Sequence, residues 1–182
     1  ILNSLVYAGL TLVFSLILGV SASLYLVESK GYAEKIFDPL FMLPLSTSAV
    51  TLGFGFIIAL DSPPLNLRNS PLLVPIAHSL VAFPFVVRAV LPALRSIPSS
   101  LKEAAGILGA SEFTVWRNID LPVIRRAIVV GAVFAFTISI GEFGATAFVA
   151  RSDAPTIPLA IYRFLGHPGA VSYGQAMAMS TI

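Results

Sequence analysis

Four stretches of the chain are apolar over enough length to cross a bilayer as helices, which takes about 20 residues each. They run from about Ser4 to Val27, Phe37 to Leu60, Leu72 to Leu94 and Ala127 to Ala150. Pro75, His78, Pro84, Arg88 and Pro92 interrupt the third, and Glu142 alone interrupts the fourth. A fifth stretch begins near Val171 and is still apolar at Ile182. Within the second, Pro44-Leu45-Ser46-Thr47-Ser48 precedes Gly53-Phe54-Gly55. The proline frees a backbone carbonyl that a Ser or Thr hydroxyl can bond again, so a broken or kinked span is expected there. The pattern predicts an all-α membrane bundle of about five transmembrane helices, forming a single domain over residues 1–182. The chain opens directly on a span without a basic leader, so it reads as a fragment cut at both ends.

The connecting segments set the orientation. Lys30, Lys35, Arg95, Lys102, Arg117, Arg125 and Arg126 fall on one side, and Arg68, Arg151 and Arg163 on the other. The more basic side is the cytoplasmic one. The loop Asp61–Ser70 and the segment Arg151–Pro168 then face outward. Within the latter, Ile157 to Leu165 is too short to span and reads as a helix lying at the interface. Composition agrees: 57% of residues are hydrophobic, 11% are charged and the mean hydropathy is +0.91. A soluble domain carries about twice that charged fraction. With no cysteine there is no disulfide, thiol nucleophile or thiolate metal site.

The cytoplasmic loop, residues 95–126, carries the densest pattern. Ser100 is placed to cap a helix with Glu103 reaching back three residues later. Ala104 and Ala105 give that helix a small-residue face, with Gly106, Leu108 and Ala110 completing the element and Gly109 ending it. Ser111 then caps a second helix carrying Phe113, Trp116 and Ile119. This is a docking type of element. Its spacing, Glu103-Ala104-Ala105, three residues, Gly109, nine residues, Ile119, one residue, Leu121-Pro122, resembles the E-A-A loop of ABC importer permeases. The resemblance covers nearly the whole chain and implies the type I permease fold. It also implies that Glu103, Ala104, Ala105, Gly106, Leu108, Gly109 and Ala110 form the coupling helix that fits a cleft on a separate ATPase homodimer. An extracytoplasmic solute-binding protein, a second permease half on the same chain or a second copy, and a prokaryotic cytoplasmic (inner) membrane location are implied as well. ATP is then used by the partner subunit, and this chain binds no cofactor.

Glu142 is the sharpest single residue, because a carboxyl group inside a span is costly and marks a functional site by default. Ser139, Gly141, Glu142, Phe143 and Gly144 resemble the gate region of permeases for thiamine, ferric iron, molybdate and sulfate. They are the candidate pathway residues, with Arg88 as a pore-lining charge or a partner for Glu142. Arg88 can equally snorkel to the headgroups. His78 reads as a hydrogen-bonded packing residue. Thr156 to Arg163 and Tyr173-Gly174-Gln175-Ala176 resemble the thiamine and ferric-iron branch, with an oxyanion as the second reading. A secondary transporter using Glu142 as a proton site, and an intramembrane enzyme using Glu142 and His78, are the alternatives. Neither accounts for the docking loop. No phosphate-binding G-x-x-x-x-G-K-[ST] or H-E-x-x-H motif occurs, and Gly53 and Gly55 lack the third glycine of a dinucleotide fingerprint. The basic residues do not cluster with aromatics, so nucleic acid is not an expected partner. Membrane lipid is.

Overall fold

The structure is a computed structural model that describes residues 1–29, 31–60, 67–68 and 70–181. It is helical throughout the described residues. In chain order the helices are α1 (Leu2–Glu28), α2 (Tyr32–Ser46), α3 (Ala49–Leu60), α4 (Leu73–Arg95), α5 (Ser99–Ile107) and α6 (Glu112–Val115). A π turn (Trp116–Asp120) leads into α7 (Leu121–Gly141), followed by α8 (Thr146–Val149), α9 (Ile157–Leu165) and α10 (Ala170–Ser180). Most of the expected Asp61–Ser70 loop, Lys30 and Ile182 lie outside the described residues.

α1, α4 and α7 form the central three-helix core. Lipid tails are as apolar as leucine, so packing rather than hydrophobicity holds such helices together, and small residues let backbones approach. α1 supplies them at helical spacing: Ser4, Ala8, Thr11, Ser15, Gly19, Ala22 and Ser23 are buried along one face. A Cβ on Gly19 would lie 2.6 Å from the Val86 side chain and 3.1 Å from the Phe83 carbonyl oxygen. A Cβ on Gly131 of α7 would lie 3.2 Å from Val86 Cα. Val86 of α4 is thus seated between two glycines, and its neighbours Ala82, Val90, Leu94, Ile124 and Ala135 complete the buried cluster.

The second expected span is two helices, α2 and α3, that meet at 103°. Ser46 and Thr47 both donate their hydroxyls to the Leu43 carbonyl, at 2.8 and 3.0 Å, and so satisfy that carbonyl at the end of α2. The expected break is therefore present, and it is sharper than a kink. Among the described residues three helical runs are long and apolar enough to span singly: Leu2–Glu28, Leu73–Arg95 and Glu112–Gly141. The bent pair makes up to four.

Two expectations are corrected. The fourth span does not run from Ala127 to Ala150; its helix continues back through the π turn to Glu112 and stops at Gly141. The aromatic-bearing segment after Ser111 is accordingly the first part of that span rather than a separate loop helix. The start of the expected fifth apolar stretch is α10, Ala170–Ser180. The interfacial helix Ile157–Leu165 forms as expected, with Pro158 in its first turn, where a missing N–H costs nothing.

Contacts sort the ends of the helices. Glu34 at the start of α2 pairs with Arg95 at the end of α4 at 2.6 Å, and the α5–α6 loop shares a cavity with Leu24, Val27 and Glu28 of α1. At the opposite end, the Ile157 backbone N–H donates to Ser4 Oγ (2.8 Å), Arg163 donates to the Ser152 carbonyl (3.0 Å), and Arg68 and Arg151 line one cavity. Arg95 and Lys102, expected on one side, thus share one end of the bundle, and Arg68, Arg151 and Arg163 the other.

Candidate functional site

Two constructions lie at opposite ends of the bundle: the docking loop and a break in the last long helix.

In the loop, α5 starts at Ser99 behind Pro98, which occupies the N-cap position in an extended conformation. The expected capping box is not made. Ser100 is already inside the helix, and Glu103 is exposed without a side-chain hydrogen bond or ion pair among the described residues. The other end is built as the sequence indicates. Gly109 has φ +78°, the left-handed region that favours glycine. The Gly109 N–H donates to the Gly106 carbonyl (2.9 Å) and the Ala110 N–H to the Ala105 carbonyl (3.0 Å), the paired closure of a Schellman motif. Ser111 Oγ then accepts from the Thr114 N–H at 3.3 Å and caps the next helix.

The loop is anchored by an ion pair that spacing did not reveal. Lys102 Nζ lies 2.8 and 3.0 Å from the two carboxylate oxygens of Asp120, which is buried in the π turn. Lys102 and Asp120 are 18 positions apart, and only the folded hairpin brings them together. Beyond this anchor the apolar side chains turn outward: Ile107 is 87% and Leu108 86% exposed, and Phe113 is exposed and stacked on Trp116. The result is an exposed apolar patch on a short, well-closed helix.

At the other end, α7 stops at Gly141 and Glu142 adopts an extended conformation (ψ 117°). Glu142 is therefore not a carboxyl group within a continuous span, as its sequence context suggests, but the residue at which the span breaks. Its Oε1 accepts the Ala145 N–H at 2.9 Å, and its backbone carbonyl accepts the Thr146 hydroxyl at 2.8 Å. The carboxylate satisfies a backbone donor freed by the break. Gly144 is needed for close approach: a Cβ there would sit 3.1 to 3.3 Å from Ala49, Val50 and Glu142 itself. From the other side, a Cβ on Gly53 of α3 would come within 2.8 Å of Ala145 Cα. The two broken spans therefore meet backbone to backbone.

Of the expected pathway residues, Ser139, Gly141, Glu142, Phe143 and Gly144 are gathered at this break, and Phe143 packs on Tyr162 of α9 at a ring distance of 5.1 Å. Arg88 is not. It is exposed on α4, between buried Val87 and Val90, and makes no ion pair with Glu142. His78, expected to be a bonded packing residue, is fully buried and lies within hydrogen-bond distance of Ser139 Oγ (2.8 Å) and Thr146 Oγ1 (2.6 Å). Thr11 and Thr146 join it in one polar cluster, and neither stands out in the sequence because each is a lone threonine in an apolar run. The outer cavity, about 560 Å³, is lined by Arg68, Arg151, Ser152 and Asp153 among others. Asp153 accepts two hydrogen bonds from Arg151 (3.0 and 2.8 Å), and these hold its carboxyl below the usual range.

A helical membrane bundle with interrupted spans at one end and a closed, apolar docking helix at the other is built as a transport permease that works with partners. Comparison with known proteins places it more closely. Residues 12–179 match the family of binding-protein-dependent transport system inner membrane components, and the chain belongs to that family. It is a type I ABC importer permease. The chain is 33% identical over 181 residues to the molybdenum transport system permease protein ModB of Haemophilus influenzae, covering 92% of this chain and 79% of that one. It is 31% identical over 196 residues to ModB of Escherichia coli K12, covering 100% and 86%. Against the putative 2-aminoethylphosphonate transport system permease protein PhnV of Salmonella paratyphi A, identity is 28% over 179 residues, covering 98% and 67%.

Proposed function

We propose that this chain forms one half of the solute path of an importer in the prokaryotic cytoplasmic membrane. It takes solute from an extracytoplasmic binding protein and is driven by a separate ATPase dimer gripping Glu103 to Ala110. The observation that carries this reading is α5 itself. It is closed by Gly109, anchored by Lys102 and Asp120, and presents Ile107 and Leu108 outward at the more basic end of the bundle. Nucleotide-driven closure of the ATPase moves α5, the Lys102–Asp120 pair passes that movement to the base of α7, and the break at Glu142 lies at the far end of the same helix. Alternating access is a shift between two such arrangements. A second permease half, on a sibling domain or a second copy, encloses the path.

The solute is a small oxyanion. Both named groups of relatives are permeases for molybdenum or a phosphonate, which favours this reading over thiamine or ferric iron. The reading is tested by reconstituting the permease with its ATPase and binding protein in liposomes. ATP-dependent uptake of labelled molybdate is expected, competed by tungstate and not by thiamine. Uptake of thiamine or ferric iron instead would overturn the oxyanion assignment, and uptake driven by a proton gradient without ATP would favour the alternative in which Glu142 is a proton site.

A further inference from the structure

Inside the bundle the most polar construction is centred on His78. Its ring is fully buried between α4, α7 and α8, and each nitrogen meets a hydroxyl. The two hydroxyls belong to opposite sides of the break. Ser139 is in the last turn of α7, which ends at Gly141, whereas Thr146 is the first residue of α8. One imidazole therefore bridges the interruption from a third helix. The cluster extends at both ends: Ser139 lies 3.1 Å from Thr11 Oγ1, Thr11 lies 3.5 Å from the Pro75 carbonyl, and Thr146 lies 2.8 Å from the Glu142 carbonyl.

A proton count shows how fully the ring is used. Thr11, Ser139 and Thr146 bring one hydroxyl proton each, and a neutral imidazole brings one N–H. Five contacts share those four protons: with Thr11 donating to the Pro75 carbonyl and Thr146 to the Glu142 carbonyl, the ring joins both hydroxyls by donating from Nε2 to Thr146 and accepting from Ser139 at Nδ1. Removing the ring takes away the N–H donor to Thr146 and the acceptor of the Ser139 proton, and buried polar groups that lose partners are costly.

We propose that His78 is a positioning residue for the gate, a staple that holds α8 in fixed relation to the end of α7 so that residues Glu142 to Ala145 keep their folded turn. The proposal rests on the reading of that turn as part of the solute path. A histidine that only fills space would serve as well as an apolar side chain of similar size. A staple needs a donor and an acceptor side by side, which leucine lacks and glutamine offers.

The test uses the reconstituted transporter, in a chain that contains no native cysteine. Spin labels on T137C and A147C, both exposed positions flanking the break, report the distance across it, and molybdate uptake is measured in parallel on unlabelled protein. With His78 present the distance distribution is narrow. His78→Leu broadens it and lowers uptake at least tenfold with ATPase association intact, and His78→Gln restores both toward the parent. A narrow distribution in His78→Leu overturns the staple. A broadened distribution with unchanged uptake supports the staple and overturns the pathway reading beneath it. If His78→Leu does not accumulate, Thr146→Val decides: broadening supports the staple, and a parent-like distribution overturns it.

Discussion

Replacing Gly109 by valine isolates the backbone geometry of the docking helix. At φ +78° a Cβ on residue 109 meets nothing within 4 Å, so packing contributes no penalty and the cost is conformational. Holding an L-residue in the left-handed region costs about 1–2 kcal/mol, and more for a β-branched one. The alternative is to leave that region and give up the two closing bonds, Gly109 N–H to Gly106 and Ala110 N–H to Ala105. At about 1 kcal/mol each, that route also costs about 2 kcal/mol. Either way the correctly closed loop becomes roughly 30-fold rarer, given a tenfold change per 1.4 kcal/mol. That is small beside the packing of α1, α4 and α7, so insertion and accumulation stay normal. The assay is titration of purified ATPase onto the permease in nanodiscs, with uptake measured alongside. Asparagine, which tolerates the left-handed region, falls between glycine and valine. A valine variant that binds ATPase and transports as the parent does would refute the argument.

Glu142→Gln keeps an oxygen to accept the Ala145 N–H, so assembly with the ATPase is retained and uptake falls. Glu142→Ala also loses the acceptor of the Ala145 N–H, about 1 kcal/mol; uptake equal to the parent in the glutamine variant would reduce Glu142 to a structural acceptor. For topology, cysteines at Ser111 and Ser152 react with membrane-impermeant maleimide from opposite sides, Ser111 from the cytoplasm; labelling of both from one side would undo the assignment of the spans.

What the sequence made legible follows from where local rules dominate. Gly109, Ser111 and the interfacial helix from Ile157 were readable because caps and helix ends are set by the few residues around them. The bend after Pro44 was readable for the same reason, though its 103° angle depends on α3 packing against α8 through Gly53. The reading failed where a neighbouring proline or glycine overrides the pattern, or where a distant partner decides. Pro98 took the cap position expected of Ser100. Glu142 looked like a charge buried in a helix because hydropathy runs unbroken through Ala150, yet Gly141 and Gly144 let the chain break and turn the carboxylate onto Ala145. The Lys102–Asp120 anchor and the cluster around His78 join residues 18 and 61 to 68 positions apart, and no periodicity brings those together. Arg88 was left between a pathway role and snorkelling to the headgroups, and its place on the helix leaves it exposed.

The coupling claim is tested most directly by cross-linking. A single cysteine at Leu108, 86% exposed in a chain otherwise free of cysteine, should cross-link to the ATPase subunit with a short bifunctional reagent in assembled transporter, and the yield should change between the ATP-bound and nucleotide-free states. A cysteine at exposed Tyr162, at the opposite end of the bundle, should give no such product. Cross-linking absent from Leu108, or equal from both positions, would contradict the assignment of α5 as the element that couples this permease to its motor.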